Sequence, residues 1–300
     1  VYEIQKTEYG ISQKAALKVI SIPRSEEEKR SVHMMTGEDT RRYFQGYVDT
    51  LLREVKVMKD LKGQTNLVSL EEFSVIEHED DVRWDILIRM ELLKPLEEYV
   101  NGILPISGRD LSNNYNTAVL FPDDTYVKGE NGAWKEVQTA AGRMERKGKI
   151  ISNFVFRLGI DMCNALRICH DKGIIHRDIK PSNIFVNEND DFKLGDFGIS
   201  RILESASQAT VTMKQGTPAY MSPEVYKGNR PDFRSDLYSL GLTLYWYLND
   251  RRLPFEPDGS MTPYDIEKAM ACRMEKDREI PLPKYGADEL KSVVLKAISY

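Results

Sequence analysis

The chain has 300 residues, 41% hydrophobic and 30% charged, with a formal net charge of −5. That length suffices for a large core split into two lobes or domains, and that charge excludes a protein held to nucleic acid mainly by phosphate attraction. No apolar run reaches a membrane span, since "DILIRMELL" is broken by Arg89 and Glu91. No signal peptide is legible at the charged, strand-like start. Cys163, Cys169 and Cys272 lack metal spacing and read as buried thiols of a reducing compartment. His33, His78, His170 and His176 form no metal pattern, and there is no internal repeat.

In chain order, "VYEIQ" alternates, "KTEYGISQK" turns at Gly10, and "AALKVI" returns as a strand. Lys18 lies inside that apolar strand. Either its stem lies on the sheet and the amine reaches water, or the ammonium has a partner. The charged stretch "SIPRSEEEKRSVHMMTGEDTRR" reads as an exposed loop. A helix is predicted over 41–61, with Tyr47, Leu51, Val55 and Met58 on one face and Gly63 as its stop. "NLVSLEEFSVIEH" and "VRWDILIRMEL" then read as an antiparallel pair around a charged turn at Glu79 to Asp81.

After "LLKP" the texture changes. "PLEEYVNG" starts a helix that breaks, and residues 104–149 are rich in Asn, Gly, Asp and Lys, with strands predicted around the turn Glu130-Asn131-Gly132. An amphipathic helix is predicted over 152–172, ended by Gly173, followed by the short strands "NIFVN" and "DFKLG" and a polar segment over 200–215. "DFRSDLYSLGLTLYWYLND" is apolar nearly all round and reads as a buried helix. The class is α+β, with a β-rich N-terminal lobe and a helical C-terminal one.

The informative block is "IIHRDIKPSNIFVNENDDFKLGDFGIS", which places Asp178, Lys180, Asn183 and Asp196 within 19 positions. Taken singly, each would be a solvated surface group. As a set they suit phosphoryl transfer: one carboxylate orients a nucleophile and an ammonium steadies the moving group. An amide oxygen and a second carboxylate then hold a divalent metal through hard oxygen ligands.

With their neighbours these residues resemble the protein-kinase family, and specifically its bacterial Hanks-type serine/threonine members. His176-Arg177-Asp178 is similar to the catalytic-loop HRD with Asn183 five positions on, Asp196-Phe197-Gly198 to DFG, and Met221-Ser222-Pro223-Glu224 to APE with serine for alanine. The resemblance covers nearly the whole chain apart from 104–149. It implies a bilobal kinase fold: a small antiparallel sheet with one long helix over 1–93, and a larger, mostly helical lobe over 94–300 carrying an insertion at about 104–149.

The resemblance implies ATP as cofactor, with Mg²⁺ (or Mn²⁺), and protein serine/threonine hydroxyls as substrates. Asp178 would accept or orient the substrate proton, Lys180 would contact the γ-phosphoryl group, and Asn183 and Asp196 would hold metal. Lys18 would contact the α- and β-phosphates, paired with Glu54 on the long helix; Met58 would pack toward Phe197 and His176. Val1 and Ala16 would roof the adenine, Phe185 would floor it, Met90 would be the gatekeeper, and backbone groups of Glu91 and Leu93 would bond its edge. Gly216-Thr217 and the lysine at 180 fit serine/threonine specificity, with Thr217 bonding near Asp178 and Lys180. Ser205, Ser207, Thr210 and Thr212 would be activation-segment phosphosites received by Arg177, and Asp236 would brace the catalytic loop. A cytoplasmic catalytic domain follows, with membrane tethering outside these residues compatible with it, and with a homodimer allowed for autophosphorylation in trans.

The family's glycine-rich loop is absent from these residues, Val1 aligning with the valine that follows its glycines, and the family's last helices are not reached at "KAISY"; both read as a trimmed chain. Lys18 and Glu54 are 36 positions apart, which reads as an inserted loop over 21–40, and the insertion at 104–149 is a docking module or an inert elaboration. Two other functions use the same fold: a pseudokinase scaffold, which the presence of Lys18, Asp178, Asn183 and Asp196 argues against, and a kinase of small molecules, which the GT and PE motifs argue against.

Overall fold

Alternating side chains at the N-terminus build a sheet with one buried face. In the computed structural model, which describes residues 1–32, 37–78, 81–103, 126–128, 134–136, 140–196 and 218–299, strands β1 (Tyr2–Glu8), β2 (Ile11–Ile22), β3 (Leu70–His78) and β4 (Arg83–Met90) form an antiparallel sheet ordered β1-β2-β4-β3. In the β2–β4 register, Ala16 faces Met90, Lys18 faces Ile88, Ile20 faces Ile86 and Ile22 faces Trp84. Except for Lys18, all of these are buried, so the lysine projects from the core face of its strand.

Contacts divide the chain into two compact units, Val1–Pro95 with Asp161–Leu240, and Leu96–Ile160 with Gly241–Tyr300. In the first, helix α2 (Gly37–Asp60) lies against β2 and β3. Its core stripe is Phe44, Val48, Leu51, Val55 and Met58, all at most 1% exposed, each worth roughly 1.5–3 kcal/mol of burial. Tyr47 belongs to the flank instead, where its hydroxyl bonds Tyr43 Oη at 2.7 Å.

The expected loop over 21–40 contains a short helix, α1 (Glu26–Ser31). Its signal was legible: in Ser25-Glu26-Glu27-Glu28, the Ser25 hydroxyl accepts the Glu28 N–H at 3.2 Å, capping the first turn. Lys29 pairs with Asp81 and Arg41 with Glu77, which pins α1 and the start of α2 beside the β3–β4 turn. A second, three-stranded sheet, ordered β5-β8-β9, joins β5 (Lys94–Pro95), β8 (Ile184–Val186) and β9 (Phe192–Leu194). Residues 66–68 run beside β9: Leu194 N donates to Asn66 O, Val68 N to Leu194 O (both 2.9 Å), and Asn66 Nδ2 to Phe192 O (3.0 Å).

The second unit holds α3 (Leu96–Ile103), the hairpin β6 (Tyr126–Lys128) and β7 (Trp134–Glu136), the first part of α4 (Ala140–Asp171) and the second part of α6 (Phe233–Leu248). α7 (Pro263–Met274) and α8 (Asp288–Ala297) complete it. The hairpin matches the strands expected around Glu130-Asn131-Gly132. α4 begins twelve residues before the expected start at Ser152, because "AAGRMERKGKII" is rich in helix formers though weakly amphipathic. Its core is aromatic and aliphatic: Phe154 meets Tyr247 edge-on at 4.9 Å, and a Cβ on Gly241 would lie 2.6 Å from Ile298. Among the described residues, no helix is long and apolar enough to cross a membrane.

Candidate active site

A single buried carboxylate shapes the loop at 176–178. Asp236, near the start of α6 and 0% exposed, accepts the backbone N–H of His176 on Oδ2 (2.9 Å) and that of Arg177 on Oδ1 (2.8 Å). These charge-assisted bonds hold Arg177 at φ 68°, a conformation that costs a non-glycine residue on the order of 1 kcal/mol or more. The bracing expected of Asp236 is present. The sequence reading missed His170, whose Nε2 lies 2.9 Å from Asp236 Oδ2 while its ring stacks on Phe233 at 4.5 Å. His176 is itself buried, with Nε2 3.0 Å from the Gly195 carbonyl, and burial pushes its pKa below the ordinary value against the opposing pull of Asp236.

Asp178, Lys180 and Asn183 form one cluster, gathered by the 3-10 turn Pro181–Asn183. Asn183 Nδ2 donates to the Asp178 carbonyl (2.7 Å) and to Asp178 Oδ2 (2.8 Å), and Lys180 Nζ lies 3.0 Å from the same Oδ2. With its NH₂ spent on Asp178, Asn183 keeps its amide oxygen as an acceptor. Asp196, just past β9 at φ 55°, supplies a carboxylate. One amide oxygen and one carboxylate are hard donors that fit Mg²⁺ or Mn²⁺, whose remaining positions phosphate oxygens and water would fill.

Lys18 Nζ pairs with Asp196 Oδ1 at 2.5 Å. This excludes a lysine merely reaching for water, and in this structure Asp196 stands where Glu54 was the expected partner. Asp196 has no other cation among the described residues, so the ammonium neutralises it. Glu54 is half-buried on α2 with no ion-pair partner among those residues; burial raises its carboxyl pKa, partly opposed by Arg177. Met58 is buried on the same helix, while Phe197, its expected neighbour, lies outside the described residues, as do Gly198, Ser205, Ser207, Thr210, Thr212, Gly216 and Thr217.

The expected adenine site has mixed exposure. Ala16 and Met90 sit directly opposite each other, each 9% exposed, whereas Val1 is 79% exposed. Leu93 and Phe185 are half-buried. The Glu91 N–H is taken by the Ser69 carbonyl at 3.2 Å, so of its backbone groups only the carbonyl could serve the expected base-edge contact. Gly195 allows close packing here, since a Cβ would lie 2.7 Å from Val68 Cγ2 and 2.9 Å from the Phe185 ring.

Beyond Asp178, the Ser222-Pro223-Glu224 segment starts α5 (Pro223–Tyr226). The Ser235 hydroxyl donates to Glu224 Oε1 at 2.6 Å and the Ser239 hydroxyl to the Tyr220 carbonyl at 2.7 Å, two ties to α6 that sequence reasoning did not find. A small open pocket is lined here by Arg177, Asp178, Tyr220, Met221 and Ser222.

Comparison with known proteins points to one family. The family model described as "Protein kinase domain" matches residues 130–300, which takes in the catalytic cluster and the later part of the segment expected as an insertion. A "Probable serine/threonine-protein kinase" of Clostridium perfringens is 39% identical over 211 residues, 69% of this chain and 29% of that protein. Serine/threonine-protein kinase PknB of Mycolicibacterium smegmatis is 39% identical over 159 residues, 51% of this chain and 24% of that protein. Serine/threonine-protein kinase RUNKEL of Arabidopsis thaliana is 45% identical over 103 residues, 34% and 8% respectively. The chain thus spans less than a third of the length of these relatives. With a small antiparallel sheet carrying one long helix, a helical remainder, and a family match over more than half its length, this chain belongs to the protein kinase domain family.

Proposed function

We propose that the chain is an ATP- and divalent-metal-dependent protein serine/threonine kinase. The observation that carries this reading is the Asp178–Lys180–Asn183 cluster, in which Lys180 and Asn183 converge on one carboxylate oxygen of Asp178. In this reading the other Asp178 oxygen faces the acceptor hydroxyl and orients or accepts its proton. Lys180, 3.0 Å from Asp178 Oδ2, stands beside the path of the transferred phosphoryl group and neutralises its charge. Asn183 and Asp196 hold the metal, which when bound screens the phosphate charge. Lys18 moves from Asp196 to the α- and β-phosphates, and Glu54 becomes its partner. Thr217 steadies Asp178 and Lys180. The acceptor segment lies along the pocket at Tyr220 and Met221.

The base site comprises Val1, Ala16, Met90, Leu93, Phe185 and the Glu91 carbonyl. Mg²⁺ is the proposed metal, with Mn²⁺ as substitute. Autophosphorylation of the segment 196–224, in trans between two copies, is the proposed regulation, with the domain in the cytoplasm and the lobes dividing at 93/94. Serine/threonine kinase names among the relatives support the substrate class.

The test is transfer from labelled ATP to the chain itself and to a generic protein, with phosphosite mapping. Asp178→Asn should lose about 10²–10⁴-fold in turnover, and Lys18→Ala should lose activity mainly through nucleotide engagement. Equal labelling by Asp178→Asn would sink the mechanism. Transfer to a small metabolite but to no protein would overturn the substrate class.

A further inference from the structure

The Glu91 side chain performs a task separate from its backbone. Its Oε1 accepts the Ser69 N–H at 2.6 Å, and both carboxylate oxygens accept Lys193 Nζ, at 2.8 and 2.9 Å. The pair is sheltered, with the lysine side chain 12% and the glutamate 24% exposed. The carboxylate is reached from two places distant in sequence. Ser69 follows the segment that runs beside β9, and Lys193 lies in the middle of β9 itself.

These bonds close a ring. From Lys193 the chain reaches Leu194, whose carbonyl accepts Val68 N; Ser69 follows and donates to Glu91; Glu91 returns to Lys193. A second link lies inside the ring, Glu91 N to Ser69 O. Three features of the site hang on it. Residues 91–93 carry the proposed base-edge contacts. Phe185, the proposed floor, is paired in register with Lys193. Asp196 lies three positions beyond Lys193.

We infer that Lys193 is a positioning residue for nucleotide: through the Glu91 carboxylate it fixes the 91–93 segment against β9, so that the base edge and the Asp196 carboxylate keep one spacing. This rests on the kinase reading above and adds a residue to it. Because Lys193 acts through Glu91, loss of its charge should loosen ground-state and transition-state binding alike, and so appear in KM rather than kcat. A closed ring also has less freedom to lose on binding than an open one.

The experiment measures ATP affinity by calorimetry in the presence of Mg²⁺, together with KM and kcat for ATP, in wild type, Lys193→Met and Lys193→Arg. Lys193→Met should raise the calorimetric Kd and KM about three- to tenfold, the scale of one charge-assisted bond discounted for screening, with kcat within about twofold. Lys193→Arg should restore most of the affinity. Thermal melting of each variant separates this from simple unfolding. A Lys193→Met protein that melts as wild type and binds ATP as wild type overturns the inference, as does a fall in kcat with unchanged KM. Calorimetry needs no turnover, so a chain that binds ATP normally but transfers nothing would refute the kinase reading while leaving the ring's effect on affinity measurable.

Discussion

Lys18 Nζ sits 2.5 Å from Asp196 Oδ1, while Glu54 stands half-buried on α2 with no ion-pair partner among the described residues. A cation therefore occupies the carboxylate proposed to receive metal, and the anion proposed to receive that cation is left facing the field of Arg177.

If Asp196 holds the metal as proposed, metal and lysine compete for it. Without nucleotide, Lys18→Ala should tighten Mn²⁺ binding, read by electron paramagnetic resonance, by about three- to tenfold, since the competing pair is partly solvated. With ATP present the same variant should bind nucleotide more weakly. Unchanged Mn²⁺ affinity in the free variant would mean that the pair does not hold in solution.

The raised Glu54 carboxyl gives a signed pH effect. Because its folded pKa exceeds its ordinary 4.5, the folded chain holds that proton more tightly, and stability is lost as pH rises from 4.5 through the raised value. Glu54→Gln should therefore melt higher than wild type at pH 7.5 and show little difference at the acid end. The variant should also be a poorer kinase, because the partner proposed for Lys18 is gone. A lower melting temperature at pH 7.5 would refute the desolvation argument.

His176 has the opposite sign. Its folded pKa is depressed, so stability is present above its ordinary 6.5 and is lost as pH falls below that value, where the unfolded chain takes up a proton that the fold resists. His176→Gln removes the titration while keeping an amide donor for the Gly195 carbonyl. Urea midpoints at pH 5.5 and 7.5 should differ less for the variant than for wild type.

Asp236→Asn leaves an amide NH₂ facing donors. At least one sheltered group then loses its acceptor (the N–H of Arg177 if the NH₂ replaces Oδ1, the N–H of His176 and the contact to the His170 ring if it replaces Oδ2), at a cost of about 1–3 kcal/mol. The urea midpoint should fall accordingly, and turnover should fall further than stability does, because the loop that carries Asp178 relaxes. Wild-type activity in Asp236→Asn would show that the loop keeps its shape without the carboxylate.

Gly195→Ala tests the packing beneath the proposed base site. The added methyl must displace Val68 and the Phe185 ring, from which an ideal Cβ lies 2.7 and 2.9 Å away, at about 1–3 kcal/mol. ATP KM should rise with a smaller change in melting temperature. Unchanged KM would argue that Phe185 does not border the nucleotide.

Much of the site was legible because phosphoryl transfer needs particular residue types close together in sequence. Asp178, Lys180 and Asn183 lie within one short loop, and a single turn suffices to bring them together. Lys18 was legible as an anomaly, a charge at a core-facing strand position. Its present partner was not, because two carboxylates compete for it and sequence does not rank them. The Glu91–Lys193 contact spans 102 positions and involves residue types that are ordinary on any surface, so nothing local marks it. α1 carried a legible cap in Ser25 and was still read as a loop, because three glutamates in the first turn look solvated, although acid there suits a helix N-terminus.

The bonds from Asp236 to residues 176 and 177 cross 60 and 59 positions, and the one to His170 crosses 66. Helices can form on their own schedule, but the catalytic loop has no local substitute for these acceptors and must await the arrival of α6. Refolding should therefore be staggered: far-UV ellipticity returns first and phosphoryl transfer later, as the last long-range contact closes.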